Sequence, residues 1–182
     1  MVGLRPARTC RELKKVAWTR YSQKKPKKSY ISSMPHTNLL NFRMGVLKDD
    51  YDVEYELVAK RPIQLRDNAL EAGRQAANKY LEKTINGKYY FHLRVICHHV
   101  IRENKMIAGA GADRLQKGMR ASFGRPTDRA ARIKAKQAIL SIKTYSENEP
   151  IIKEALRRMK MKISGSWTIN KKRLEKNENP SA

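Results

Sequence analysis

The stretch Arg102–Pro126 separates two strand-like runs, Tyr89–Ile101 and Ala130–Tyr145. A 25-residue connection inside a compact domain is either disordered or put to use. It holds six cations (Arg102, Lys105, Arg114, Lys117, Arg120, Arg125) and two acids (Glu103, Asp113). Four of the nine glycines of the chain lie in it: Gly109, Gly111, Gly118 and Gly124. Glycine lets the backbone turn left-handed and approach a partner closely, and cations every few residues favour a polyanion. The pattern predicts a basic loop held out by a rigid scaffold toward folded nucleic acid.

The charge distribution points the same way. Forty cations against seventeen acids leave a net charge of +23 over 182 residues, a self-repulsion that suits a chain with a standing polyanionic partner. Residues 1–38 carry net +9, residues 39–100 only +2, residues 101–146 +8 and residues 147–182 +4. A nearly neutral scaffold therefore lies between a basic arm and a basic loop region. In the arm, Pro6, Pro26 and Pro35 interrupt any helix. Its cations Arg5, Arg8, Arg11, Arg20, Lys24, Lys25, Lys27 and Lys28 surround Trp18 and Tyr21. Aromatics that stack on unpaired bases, among cations that hold phosphates, are what RNA contact requires. The bland alternative is a solvated basic tail.

Between arm and loop the periodicity is legible. Leu39–Leu47 reads as a strand with Leu40, Phe42 and Met44 on one side, and Val53–Ala59 as a second, ended by Arg61-Pro62. Leu65–Lys83 reads as a helix, with Asn68 and Glu71 as a capping box. Its stripe of small residues (Ala69, Gly73, Ala76, Ala77, with Tyr80 and Leu81) suits close packing on a sheet. Asn86-Gly87 turns the chain into Tyr89–Ile101, expected as one central strand. After the loop, Ala131, Ile133 and Ala135 share one parity, and Ala138, Leu140 and Ile142 the other. That phase change predicts a bend near Lys136–Gln137. A second helix follows Asn148-Pro150, with Ile152, Ala155, Leu156 and Met159 as its apolar face. Ser164-Gly165 ends it, and Trp167-Thr168-Ile169 returns as a short strand.

The expected architecture is an α+β two-layer sandwich: a mainly antiparallel sheet with two helices on one face, a long basic loop and a basic N-terminal arm. The expected divisions are the arm (residues 1–38), the body (residues 39–169, including the loop 102–126) and a polar tail (residues 170–182). No apolar run approaches the roughly 20 residues of a membrane helix, and no membrane contact or homo-oligomer is expected.

The motifs of catalysis are missing. Cys97-His98-His99 lies in an alternating run, where neighbours point to opposite faces, and Cys97 reads as a small core residue rather than a metal ligand. Cys10 and Cys97 form no CxxC, Ser122 has no GxSxG context, and Gly109-Ala110-Gly111-Ala112 is no dinucleotide fingerprint. Asp113 and Glu103 read as partners orienting Arg102, Lys105 and Arg114. Met106, Ile107, Leu115, Met119 and Phe123 are expected to pack the base of the loop. No enzymatic activity, metal or cofactor is expected. A structural RNA-binding protein, a free RNA chaperone or tRNA-binding factor, and an RNA-processing enzyme remain as readings, the first favoured.

Specific runs sharpen this. His99-Val100-Ile101-Arg102, Asn104-Lys105-Met106, Ala110-Gly111-Ala112-Asp113-Arg114-Leu115-Gln116, Gly118-Met119-Arg120 and Phe123-Gly124-Arg125-Pro126 closely resemble the large-subunit ribosomal protein family called L-ten-e in archaea and eukaryotes, whose bacterial relative is L-sixteen. Leu4-Arg5-Pro6-Ala7-Arg8, Ala69-Leu70-Glu71-Ala72, Ala77-Asn78-Lys79-Tyr80 and Glu154-Ala155-Leu156-Arg157-Arg158 extend the resemblance over nearly the whole chain, on the archaeal side of the family. The resemblance implies a non-catalytic, ribosome-bound, cytoplasmic protein. Its body would bind large-subunit rRNA near the base of the central protuberance, beside neighbouring ribosomal proteins. Its loop would point toward the peptidyl-transferase centre and bound tRNA. Arg102, Lys105, Arg114, Lys117, Arg120 and Arg125 would then neutralise phosphates, and Gly109, Gly111 and Gly118 would permit close approach.

Overall fold

The computed structural model describes residues 4–13, 31, 33–105 and 124–174. Their elements, in order, are β1 (Arg43–Gly45), β2 (Val53–Ala59), β3 (Ile63–Arg66), α1 (Asp67–Ile85), β4 (Tyr89–Leu93), β5 (His99–Glu103), β6 (Arg125–Ile133), β7 (Ala138–Thr144), α2 (Glu149–Lys162) and β8 (Trp167–Arg173). Short 3-10 turns stand at Ala7–Thr9 and Ser146–Asn148.

The core is built on β7. Ile139, Leu140, Ile142 and Thr144 are fully buried, and Ser141 nearly so. Burial of both parities is the mark of a central strand covered on both faces. It occupies the middle of a five-stranded sheet of order β1-β4-β7-β2-β8. Across it run two apolar ladders, Leu57–Leu140–Leu93 and Tyr55–Ile142–Phe91, fixed by antiparallel register with β2 and β4. Such directly opposed pairs are the unit of sheet stability.

The expected α+β class, with two helices and antiparallel pairing, is what the described residues show, but the strands divide between two sheets. Tyr89–Ile101 is not one strand. Only Tyr89–Leu93 pairs with β7, while His99–Glu103 belongs to a three-stranded sheet of order β3-β6-β5. Val95 and Cys97 stay buried on the way across. Alternation records which side chains face the core, not which neighbour the backbone bonds, so it ran unbroken over the crossing. The bend expected at Lys136–Gln137 is the second crossing. Lys136 takes φ 61° there, and its N–H donates to Ala59 O at 2.8 Å as β6 gives way to β7.

Three further expectations change. In Leu39–Leu47 only Arg43–Gly45 pairs, with β4; Leu39 is buried and Leu40 is 68% exposed. The strand β3, directly after Pro62, takes Leu65 and Arg66 out of the expected helix. The helix therefore starts at Asp67, and the Asn68–Glu71 capping box does not form. Asp67 accepts the Asn68 N–H at 2.8 Å, and Glu71 is held by Arg74 Nε at 2.8 Å. At Gly73 the small-residue stripe meets α2. Gly73 and Ala77 are on the buried face, and a Cβ on Gly73 would lie 3.0 Å from Met159 Cγ. Ala69, Ala76 and Tyr80 are only partly buried.

The second helix is as expected, with Ile152, Ala155, Leu156 and Met159 all at zero exposure. Asn148, expected as its cap, instead donates its side-chain amide to Thr144 Oγ1 at 3.2 Å. Gly165, at φ 103°, turns the chain back, and β8 runs on to Arg173. Residues 170–173, expected in the polar tail, thus pair with β2, Asn170 opposite Glu56 and Arg173 opposite Val53.

Candidate nucleic-acid interface

The ends of the basic loop are set by β5 and β6. These strands pair antiparallel with Glu103 opposite Arg125 and Arg102 opposite Pro126, after a register shift at Ile101/Arg102. The loop thus leaves the body from the end of a hairpin. Gly124 sits in its neck, where a Cβ would lie 2.4 Å from Glu103 C and 2.6 Å from Asn104 N. Those are backbone atoms and cannot swing aside, so no other residue fits without moving a strand. Arg102 Nη1 donates to Gly124 O at 2.9 Å, and Thr127 Oγ1 to Ile101 O at 3.2 Å. The neck is closed by its own side chains.

The described start of the arm is fastened across the three-stranded sheet. Gln64 of β3 donates its backbone N–H to Arg11 O at 2.8 Å and its side-chain amide to Cys10 O at 2.8 Å. Arg66 Nη2 reaches Arg5 O at 2.8 Å. Arg5 Nη2 in turn donates to Arg102 O at 3.2 Å, with Nε 3.7 Å from Glu103 Oε2. Cys10 packs with Ile101 and Ala130 in a small apolar cluster of its own. The far end of the arm is also fixed. Arg129 Nε donates to Pro35 O at 2.6 Å, and the buried Asp67 accepts from Asn38 N and Nδ2 at 2.9 and 3.0 Å. Both described ends of the arm are therefore fastened to the body.

Of the residues expected to touch RNA, Arg8, Arg11, Lys105 and Arg125 are exposed. Arg5 and Arg102 are half-buried and bonded as above. Gly109, Gly111, Arg114, Lys117, Gly118 and Arg120 in the loop lie outside the described residues. So do Trp18, Arg20, Tyr21, Lys24, Lys25, Lys27 and Lys28 in the arm, and Met106, Ile107, Asp113, Leu115, Met119 and Phe123. Sequence reasoning missed Gln64, Arg66 and Arg129. The alternation Ile63–Gln64–Leu65–Arg66 was the available signal for the first two, obscured by Pro62 and the helix that follows.

Four arginines here donate to neutral oxygens. Arg66, Arg102 and Arg129 donate to backbone carbonyls, and Arg132 to the neutral amide oxygen of Gln64 at 3.3 Å. A carbonyl orients a guanidinium without cancelling its charge. Burial lowers the pKa of Arg132 from its ordinary value.

Cys97 and its neighbours form no cation site among the described residues. Cys97 is buried in the main core, and burial, with the charge of Asp67 second, pushes its thiol up to about 12. His98 points outward and is exposed. A thiol that keeps its proton is a poor nucleophile.

Residues 18–170 match the model of the ribosomal protein L16p/L10e family. The chain belongs to that family. It is 45% identical over 147 residues to the large ribosomal subunit protein uL16 of Archaeoglobus fulgidus, covering 80% of this chain and 84% of the relative. The uL16 proteins of Methanococcus aeolicus and Thermofilum pendens are each 44% identical, over 89% and 88% of this chain and 90% and 92% of their own lengths. As an L16p/L10e protein the chain is a structural ribosomal component and not an enzyme. No described helix is long and apolar enough to cross a membrane.

Proposed function

We propose that the chain binds large-subunit rRNA through the three-stranded sheet and its strap, and extends the Arg102–Pro126 loop toward the peptidyl-transferase centre and tRNA. The observation that carries this reading is the set of arginines at the base of the loop, held by neutral oxygens. Arg66, Arg102, Arg129 and Arg132 are oriented by the body, and Arg66 and Arg129 make no ion pair with a described residue. Phosphate contacts fix position and register, while the shape of the folded RNA supplies the address. The neck at Gly124 and the strap through Arg5 would hold the loop in one direction, so that cations further along it meet rRNA or tRNA. The effect on peptide-bond formation is indirect, through substrate placement. The same contacts help complete assembly of the subunit.

The test is the double variant Arg114→Ala, Arg120→Ala in cells that depend on it. The fold is expected to persist, as read by an unchanged thermal melt, while mature large subunits and polysomes decline. Polysome profiles and growth equal to those of the unsubstituted chain would remove the role given to the loop.

A further inference from the structure

Away from the hairpin, α1 and α2 meet along a groove of about 560 Å³. Its lining includes Lys79, Tyr80, Lys83, Arg158, Met161 and Lys162, and no acid. We propose that this seam is a second RNA-docking surface, taking a phosphodiester backbone of large-subunit rRNA. The proposal rests on the rRNA reading above and concerns a different face.

Pairing separates the groove's lysines from the cations nearer the start of α2. Nearer the start of α2, Lys153 is paired with Glu149 at 2.6 Å and Arg157 with Glu154 at 2.7 Å. Lys79, Lys83 and Lys162 make no ion pair with any described residue. Three uncompensated ammonium groups around one concavity repel one another until a polyanion enters. Lys83 and Lys162 also stand in the last turns of their helices, where the helix dipole tolerates cations.

The floor of the groove suits a nucleotide rather than a bare anion. The Arg158 guanidinium lies 4.0 Å from the Tyr80 ring centroid, and Glu154 Oε1 fixes its Nε at 2.9 Å. One face of a planar cation is thus backed by an aromatic, and the other is offered to a ribose or base. Met161 beside it is 72% exposed, an adaptable apolar contact. Lysines are flexible point charges that suit phosphates without demanding a fixed geometry.

Directed hydroxyl-radical probing tests the assignment. An iron chelate is tethered to Met161→Cys in large subunits carrying the full-length variant; the native Cys10 and Cys97 are buried. Scission of large-subunit rRNA at a discrete site is expected. A parallel tether at Arg125→Cys probes the hairpin. Scission from position 125 but not from 161 overturns the seam proposal and leaves the loop reading standing. Scission from neither overturns both. A cross-link from position 161 to a neighbouring protein, without scission, also overturns the seam. Replacing Lys79, Lys83 and Lys162 with glutamine should lower the slope of log retention against log salt by roughly two to three, with an unchanged thermal melt. An unchanged slope counts against it.

Discussion

The two ends of the molecule handle their arginines and lysines differently. On the five-stranded sheet and on the helices outside the α1–α2 groove, several cations are matched to carboxylates. Glu56, only 4% exposed, binds Arg94 at 2.6 Å and Lys172 at 2.8 Å. Glu71 holds Arg74 and Glu154 holds Arg157 and Arg158. At the hairpin, most of the arginines donate to backbone oxygens. The first arrangement neutralises charge over an apolar core that carries the stability; the second aims charge outward and depends on fit at the neck. A protein that must fold while highly basic, and still bind a polyanion, can meet both demands by pairing cations over its core and leaving others unpaired where a polyanion is to dock.

That contrast is open to test. The largest effect is expected in the core. Leu140→Ala removes the centre of the Leu57–Leu140–Leu93 ladder at zero exposure and should cost about 2–5 kcal/mol, read as a lower urea midpoint with an unchanged slope. A loss under about 1 kcal/mol would mean that β7 is not the centre of the core.

Gly124→Ala should cost less, about 1–3 kcal/mol, and act locally. Amide exchange should quicken in β5 and β6 while β7 and β2 keep their protection. Equal acceleration throughout would show that the hairpin and the core open as one unit. No acceleration would show that the neck tolerates a Cβ.

The smallest effect near neutrality concerns Cys97, between the two sheets. The unfolded thiol ionises near 9, whereas burial keeps the native one protonated to about 12. The native state binds more protons in that window, so stability is full below pH 9 and falls as pH rises through it. At pH 10 the loss is at most about 1.4 kcal/mol. Tyr89, also pushed up to about 12 by burial, adds its share from pH 10. Urea midpoints at pH 8, 9 and 10 should diverge between the native chain and Cys97→Ala. Parallel curves would remove Cys97 as the cause.

Much of the body was legible in the sequence, because amphipathic periods are local. Ile152, Ala155, Leu156 and Met159 recur at helical spacing, and a helix buries them wherever it lies. Val53, Tyr55 and Leu57 alternate, and a strand does the same. The loop announced itself by charge and glycine. Among the glycines, however, only the structure singles out Gly124 as the one that closes the neck, since its reason is the backbone of Glu103 and Asn104.

What local pattern could not carry was the choice of neighbour. Alternation from Tyr89 to Ile101 is equally satisfied by one strand or by two in different sheets, because side-chain burial is indifferent to which ladder the backbone joins. The fastening of the arm was likewise invisible. Arg5, Gln64 and Arg66 are far apart along the chain, and their bonds exist only once β3, β5 and β6 lie side by side. Composition and periodicity determined that this is a basic chain whose two helices and alternating strands bury an apolar core. Tertiary structure alone decided which cations are neutralised and which stay charged, because that depends on whether a carboxylate or a carbonyl is brought within hydrogen-bonding distance.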